Sequence, residues 1–234
     1  MAIRCIWEHN GQDTLLYAAD YPGAYARGAS LAEAMNKIPS EITAYCRWLA
    51  LSVPHSMESV IIQEQSSTLM IRDADSDILF DTEREPLTTE EYVRLKNIAL
   101  RSARDFHALY LSIPDHHQSC LKPRQTFYRQ IPRTAQEMYD HVRSVNAYYF
   151  GEIGICADNE DTIAECRERG FRRLEQRAGY LNNPLHHGSY DELWTLRKVL
   201  RRFIWHDRIH ARAMWRMCCR TFLKPPETNP FSFE

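Results

Sequence analysis

The segment 194–217, WTLRKVLRRFIWHDRIHARAMWRM, constrains this chain more than any other. Leu196, Val199, Phe203, Ala213 and Met217 recur at steps of three and four, the period of a helix with one buried face. His206 and His210 stand four residues apart on that same stripe, so both imidazoles leave one side of the helix. A helix with such a seam must pack it against other helices. A buried polar group needs a partner, and two imidazoles in a seam need two. Two readings follow: core histidines bonded to carbonyls, or ligands of one metal ion, the use to which helical zinc motifs put this spacing.

A third histidine bears on that choice. A helix is expected over about 134–153, opened by Thr134 with Glu137 three residues later, a capping box. Its stripe is Met138, His141, Val145, Tyr148 or Tyr149, and Glu152. Two further helical patterns run over about 90–112 and 159–180, the second highly charged and weakened at Gly170. Four seams without a membrane span argue for a helix bundle, and facing seams would set His141 against His206 and His210. Three neutral imidazoles leave an open position on the ion, as catalytic sites do. That position could activate a water or a thiol. Glu137 and Asp207 are candidates to orient the ligands, and Tyr128, Tyr148 and Tyr149 to line a pocket, although a helix surface or bundle core also explains each. His116 and His117 fall in a loop.

The preceding part of the chain differs in charge. Residues 1–85 hold 6 Lys and Arg against 13 Asp and Glu, the remainder 23 against 18. An acidic unit joined to a mildly basic one is expected. Strands are expected at 3–8 and 14–19 around Asn10-Gly11, at 24–27, at 59–63 and at 68–72. Between them Ser30, with Glu33, caps a helix that Pro39 should kink or break. The acidic run 73–85 reads as a solvated linker rather than a calcium loop, since a central Gly and a closing Glu are missing. The cations at Arg197, Lys198, Arg201, Arg202, Arg208, Arg212, Arg216 and Arg220 read as a solvated helix face. Their acidic partners are expected on the third helix of the bundle or on the N-terminal unit.

Two resemblances rest on these segments. Asp20-Tyr21-Pro22-Gly23-Ala24-Tyr25-Ala26-Arg27-Gly28 followed by Ser30-Leu31-Ala32-Glu33-Ala34 resembles the HicB-like antitoxin domain. That implies a small αβ unit over 1–80 that binds a partner or supports an oligomer. No DNA-binding segment follows it. The run from Pro132 to Met138 leading to His141, with the run from Trp194 to Arg202 leading to His206 and His210, resembles the DinB-like superfamily of four-helix bundles. That implies a bundle over 87–222 and a divalent metal, zinc or nickel, on His141, His206 and His210. It further implies a homodimer, and either hydrolase or low-molecular-weight-thiol S-transferase chemistry with a small thiol as substrate.

The expected fold class is therefore α+β in two domains. A non-catalytic protein, its metal stabilising the bundle and its HicB-like unit binding a partner, is the competing reading. Net charge of −2 gives no argument for nucleic acid. An odd number of cysteines, seven, with no CxxC pair fits reduced thiols. With no basic-then-apolar leader visible, the expected location is cytoplasmic, away from membranes.

Overall fold

The computed structural model describes residues 2–73, 75–126 and 130–234. The chain is mixed α and β. Strands β1 (Ile3–His9), β2 (Thr14–Ala18), β3 (Tyr25–Gly28) and β4 (Ser59–Ser66) form one sheet in the order β3-β2-β1-β4. The first three are antiparallel neighbours, and β4 runs parallel to β1 with a register shift between Cys5 and Ile6. Asn10 makes the first turn: its side-chain oxygen accepts from Gln12 N and Asp13 N at 3.0 and 2.9 Å, an Asx turn. The connection to β4 is α1 (Leu31–Leu49), capped by Ser30 as its sequence suggests. Pro39 does not break α1, which runs through it without interruption. The strand expected at 68–72 is instead a 3-10 turn, Ile71–Asp73.

Four longer helical segments complete the chain: α2 (Thr89–Leu111), α3 (Ala135–Glu152), α4 (Ile163–Glu175) and α5 (Leu196–Phe222). Thr88–Glu91, Thr134–Glu137 and Thr162–Glu165 are reciprocal capping boxes at the starts of α2, α3 and α4. Helix α4 is shorter at both ends than its charged pattern suggests. Helix α5 begins at Leu196 because 193–194 pair as β6 (Leu193–Trp194) with β5 (His186–His187) and Thr195 supplies the cap. Helix α5 packs on α2 and α3, and α4 packs on the same two helices. Gly170 serves that packing: a Cβ there would lie 2.2 Å from the Phe150 ring.

The sheet is covered on both faces. Helix α1 packs one face through Ala34, Ile38 and Ile42 against Ile3, Cys5, Leu16 and Ala26. The other face carries Ile6, Leu15 and Tyr17 and is closed by Ile71, Ile78, Phe80 and Trp205 of α5. The acidic run 73–85 is therefore not a solvated linker; its apolar residues form the second core. Gly23, at φ 89°, touches α5 as well: a Cβ there would lie 2.4 Å from Ile204 Cγ2, so both backbone sign and close approach require glycine.

The cations of α5 correct the sequence reading of a solvated face. Lys198, Arg201, Arg202 and Arg208 are buried. Arg201 binds Glu83 through Nε at 2.5 Å and a second nitrogen at 3.0 Å, a bidentate pair. Arg208 and Arg212 both donate to Glu41 of α1. Lys198 Nζ donates to Asp77 O and Leu193 O at 2.7 Å and forms an ion pair with the Glu192 carboxylate at 2.8 Å. The partners thus come from α1, from the acidic run and from the segment before α5, not from α4.

Candidate metal centre

Helices α3 and α5 lie antiparallel, so that Tyr149 meets Phe203 and Trp194 while His141, two turns earlier, meets the middle of α5. The ring centroids of His141, His206 and His210 are 4.9, 4.5 and 4.5 Å apart. One ligand atom from each lies within 4.8 Å of the others. His206 is 8% exposed, and its two companions are half-buried. The set is thus sealed behind His206 and reached past His141 and His210.

Two distances test whether the donors fit an ion. Two nitrogens at 2.0–2.1 Å on a tetrahedral centre are about 3.3 Å apart. His206 Nε2 and His141 Nε2 stand 3.1 Å apart, close to that spacing. The same separation accommodates an N–H···N hydrogen bond between neutral imidazoles. The donor chemistry fits a borderline divalent ion: three imidazole nitrogens and no carboxylate.

The charge around the site favours the ligating form of the ring. Burial, the two neighbouring imidazoles, and then Arg202 and Arg167 hold His206 well below the usual imidazole range. Its Nδ1 is buried and has no hydrogen-bond partner among the described residues. Tyr149 stands edge-on to it, with centroids 6.0 Å apart, and is buried in the core.

Beside His206 lies a polar network that sequence reading missed. Arg167 of α4 donates to both oxygens of Asp207 at 2.6 and 3.0 Å, to Ala99 O at 2.8 Å and to Asn146 Oδ1 at 3.1 Å. Ser102 Oγ donates to the same carboxylate. Ser102, Asn146, Arg167 and Asp207 come one from each of α2, α3, α4 and α5, and all four are fully buried. The available signal was positional: Arg167 sits on the stripe of Ile163, Cys166, Phe171 and Leu174.

This arrangement corrects two candidates. Asp207 is the counter-ion of Arg167, and Glu137 Oε2 accepts from Arg133 N and Thr134 N at 2.7 and 3.2 Å as a helix cap. Their recorded bonds go to these groups rather than to the histidines. Tyr148 lies two turns along α3 from His141, against Trp194, and Tyr128 lies outside the described residues. His116 stacks on Tyr110 at 4.0 Å, away from the triad. Among the described residues no other group of three His, Cys, Asp or Glu side chains converges on a metal position, and no helix is long and apolar enough to cross a membrane. No family model matches the chain, and no curated protein or solved structure matches it.

Proposed function

We propose that this chain is a divalent-metal protein of the DinB-like kind, its bundle formed by α2, α3, α4 and α5 and preceded by a HicB-like unit. His141, His206 and His210 would hold the ion, with zinc or nickel the best match to three imidazoles. The observation that carries this reading is the convergence of three histidines from two helices, with one Nε2–Nε2 spacing of 3.1 Å. When bound, such an ion supplies Lewis acidity at an open position, which suits hydrolysis or transfer to a small thiol. The chain's own contribution is electrostatic and positional. Burial first, then the neighbouring imidazoles, Arg202 and Arg167, disfavour protonation of His206, and Arg167 binds the Asp207 carboxylate, which leaves an all-imidazole donor set. A cytoplasmic homodimer belongs to the same reading.

Elemental analysis of the purified chain tests it. About one equivalent of a transition metal is expected. It should be lost in the His206→Ala/His210→Ala variant. A folded wild-type chain that takes up no zinc or nickel on dialysis sinks the proposal.

A second reading is a metal that only stabilises the fold, beside a unit that binds a partner. The burial of His206 and the tight seating of α5 between sheet and helices favour it. Adding metal to a chelated sample discriminates. A raised melting temperature with no turnover of ester, amide or thiol substrates supports the structural role.

A further inference from the structure

The stripe of α3 that carries His141 continues to Tyr148 and Glu152. Tyr148 lies two helical turns on, about 10 Å along the axis, and Glu152 one turn further. Both line an open surface cavity of about 400 Å3, bordered on its other side by His187, Gly188 and Ser189.

Glu152 is 8% exposed. A buried carboxylate is costly unless it is paired, and elsewhere this chain obeys that rule. Glu41 has Arg208 and Arg212, Glu83 has Arg201, Glu192 has Lys198, and Asp207 has Arg167. Glu8 is treated differently: burial raises its pKa, and Tyr17 Oη and Asp77 N donate to it. Glu152 follows neither course. Its Oε2 accepts one bond, from Ser189 N at 2.7 Å. Among the described residues it has no Lys, Arg or His in ion-pair contact.

The nearby cations are committed elsewhere. Lys198 donates to two carbonyls and pairs with Glu192, and Arg202 donates to Ser76 O at 2.7 Å and lies over the rings of Tyr149, Trp194 and Trp205. The wall beside Glu152 is aromatic. Tyr148 is 36% exposed and stands edge-on to Trp194 with centroids 6.0 Å apart. Burial first, then Glu192 and Glu152, raise its pKa and keep its hydroxyl neutral. A carboxylate without a counter-ion beside an accessible aromatic ring is the usual receptor for an organic cation.

We propose that this cavity binds a small organic cation, an alkylammonium or guanidinium group, with Glu152 as its counter-ion and Tyr148 as its aromatic wall. The Glu152 charge disfavours an anion. The proposal is independent of the metal centre.

The test uses the full chain in the presence of a chelator, which removes any response from the histidine triad. Methylguanidinium chloride and butylammonium chloride are titrated while the amide resonances of Gly151, Gly188 and Ser189 are followed. Butanol and sodium acetate serve as controls. Saturable shifts are expected with dissociation constants on the order of millimolar, for the cations alone. Glu152→Gln retains an oxygen for Ser189 N and should weaken binding by about tenfold or more. Tyr148→Leu should weaken it as well. Three results overturn the proposal: no saturable shift, equal shifts with butanol, or unchanged affinity in a folded Glu152→Gln chain. Should that variant not fold, unchanged affinity in Tyr148→Leu overturns it instead.

Discussion

Arg167 and Asp207 show how much one ion pair can hold. Both are fully buried, and their bonds reach all four of the helices α2 to α5. Removing one partner strands the other in the core. Arg167→Met should therefore cost about 3–5 kcal/mol of stability, whereas Arg167→Met with Asp207→Leu should recover much of that loss. Denaturant midpoints of the single and double variants measure it, and equal losses in the two would mean that the stranded carboxylate is not the source of the cost. The histidines were legible because His206 and His210 interrupt an apolar stripe and His141 interrupts another. Arg167 was not, because α4 is charged nearly throughout, and the position of one arginine on its narrow apolar stripe is outweighed by its many exposed neighbours. Nothing local to Asp207 announces its partner, which lies 40 residues away.

At the scale of the element, α5 carries two stripes rather than one. The apolar stripe faces α2 and α3, and the cations face the sheet, α1 and the run 73–85. Periodicity revealed the first. It could not reveal the second, since charged residues at helical spacing look the same on a solvated face as on a buried one whose counter-ions are far away in sequence. The capping box at Thr134 was legible for the opposite reason: it is complete within four residues. Lys198 gives the element a pH signature. Burial lowers its ammonium from 10.5 to about 8 against the opposing pull of Glu192. Between those values the unfolded chain binds more protons than the folded one, so stability rises with pH across that window and is lost again as pH falls towards 8. Tyr45, whose pKa burial raises, acts in the other direction above about pH 10. Burial also raises the thiols of Cys5, Cys46, Cys166 and Cys218 from 9.0, which opposes Lys198 in the same window. From pH 8 to 10 the unfolding free energy of Lys198→Met should therefore fall more steeply with pH than that of the wild type. Identical slopes would mean that Lys198 is not the titrating group.

Across the whole molecule, the acidic and basic parts share one core. A single hydrophobic cluster runs from Ile3 through α1, α2, α3 and α5 to Phe233. Phe231 packs on Trp48 of α1 with centroids 5.1 Å apart. Charge asymmetry separated the two parts of the sequence correctly as to composition, but composition carries no information about the surface between them. Such continuity makes one cooperative unfolding transition the expected outcome. Calorimetric and van't Hoff enthalpies should agree, and two resolved transitions would show that the parts melt separately.

The Glu41–Arg208 pair sets a schedule as well as a contact. Its members are 167 residues apart, and chains grow at about 5–20 residues per second, so the glutamate emerges roughly 10–30 s before its arginine exists. Throughout that interval the nascent sheet and α1 carry a carboxylate whose burial has no compensation, and Gly23 waits for the helix it will touch. The sheet and α1 are thus kept unfinished on the ribosome until α5 has been made.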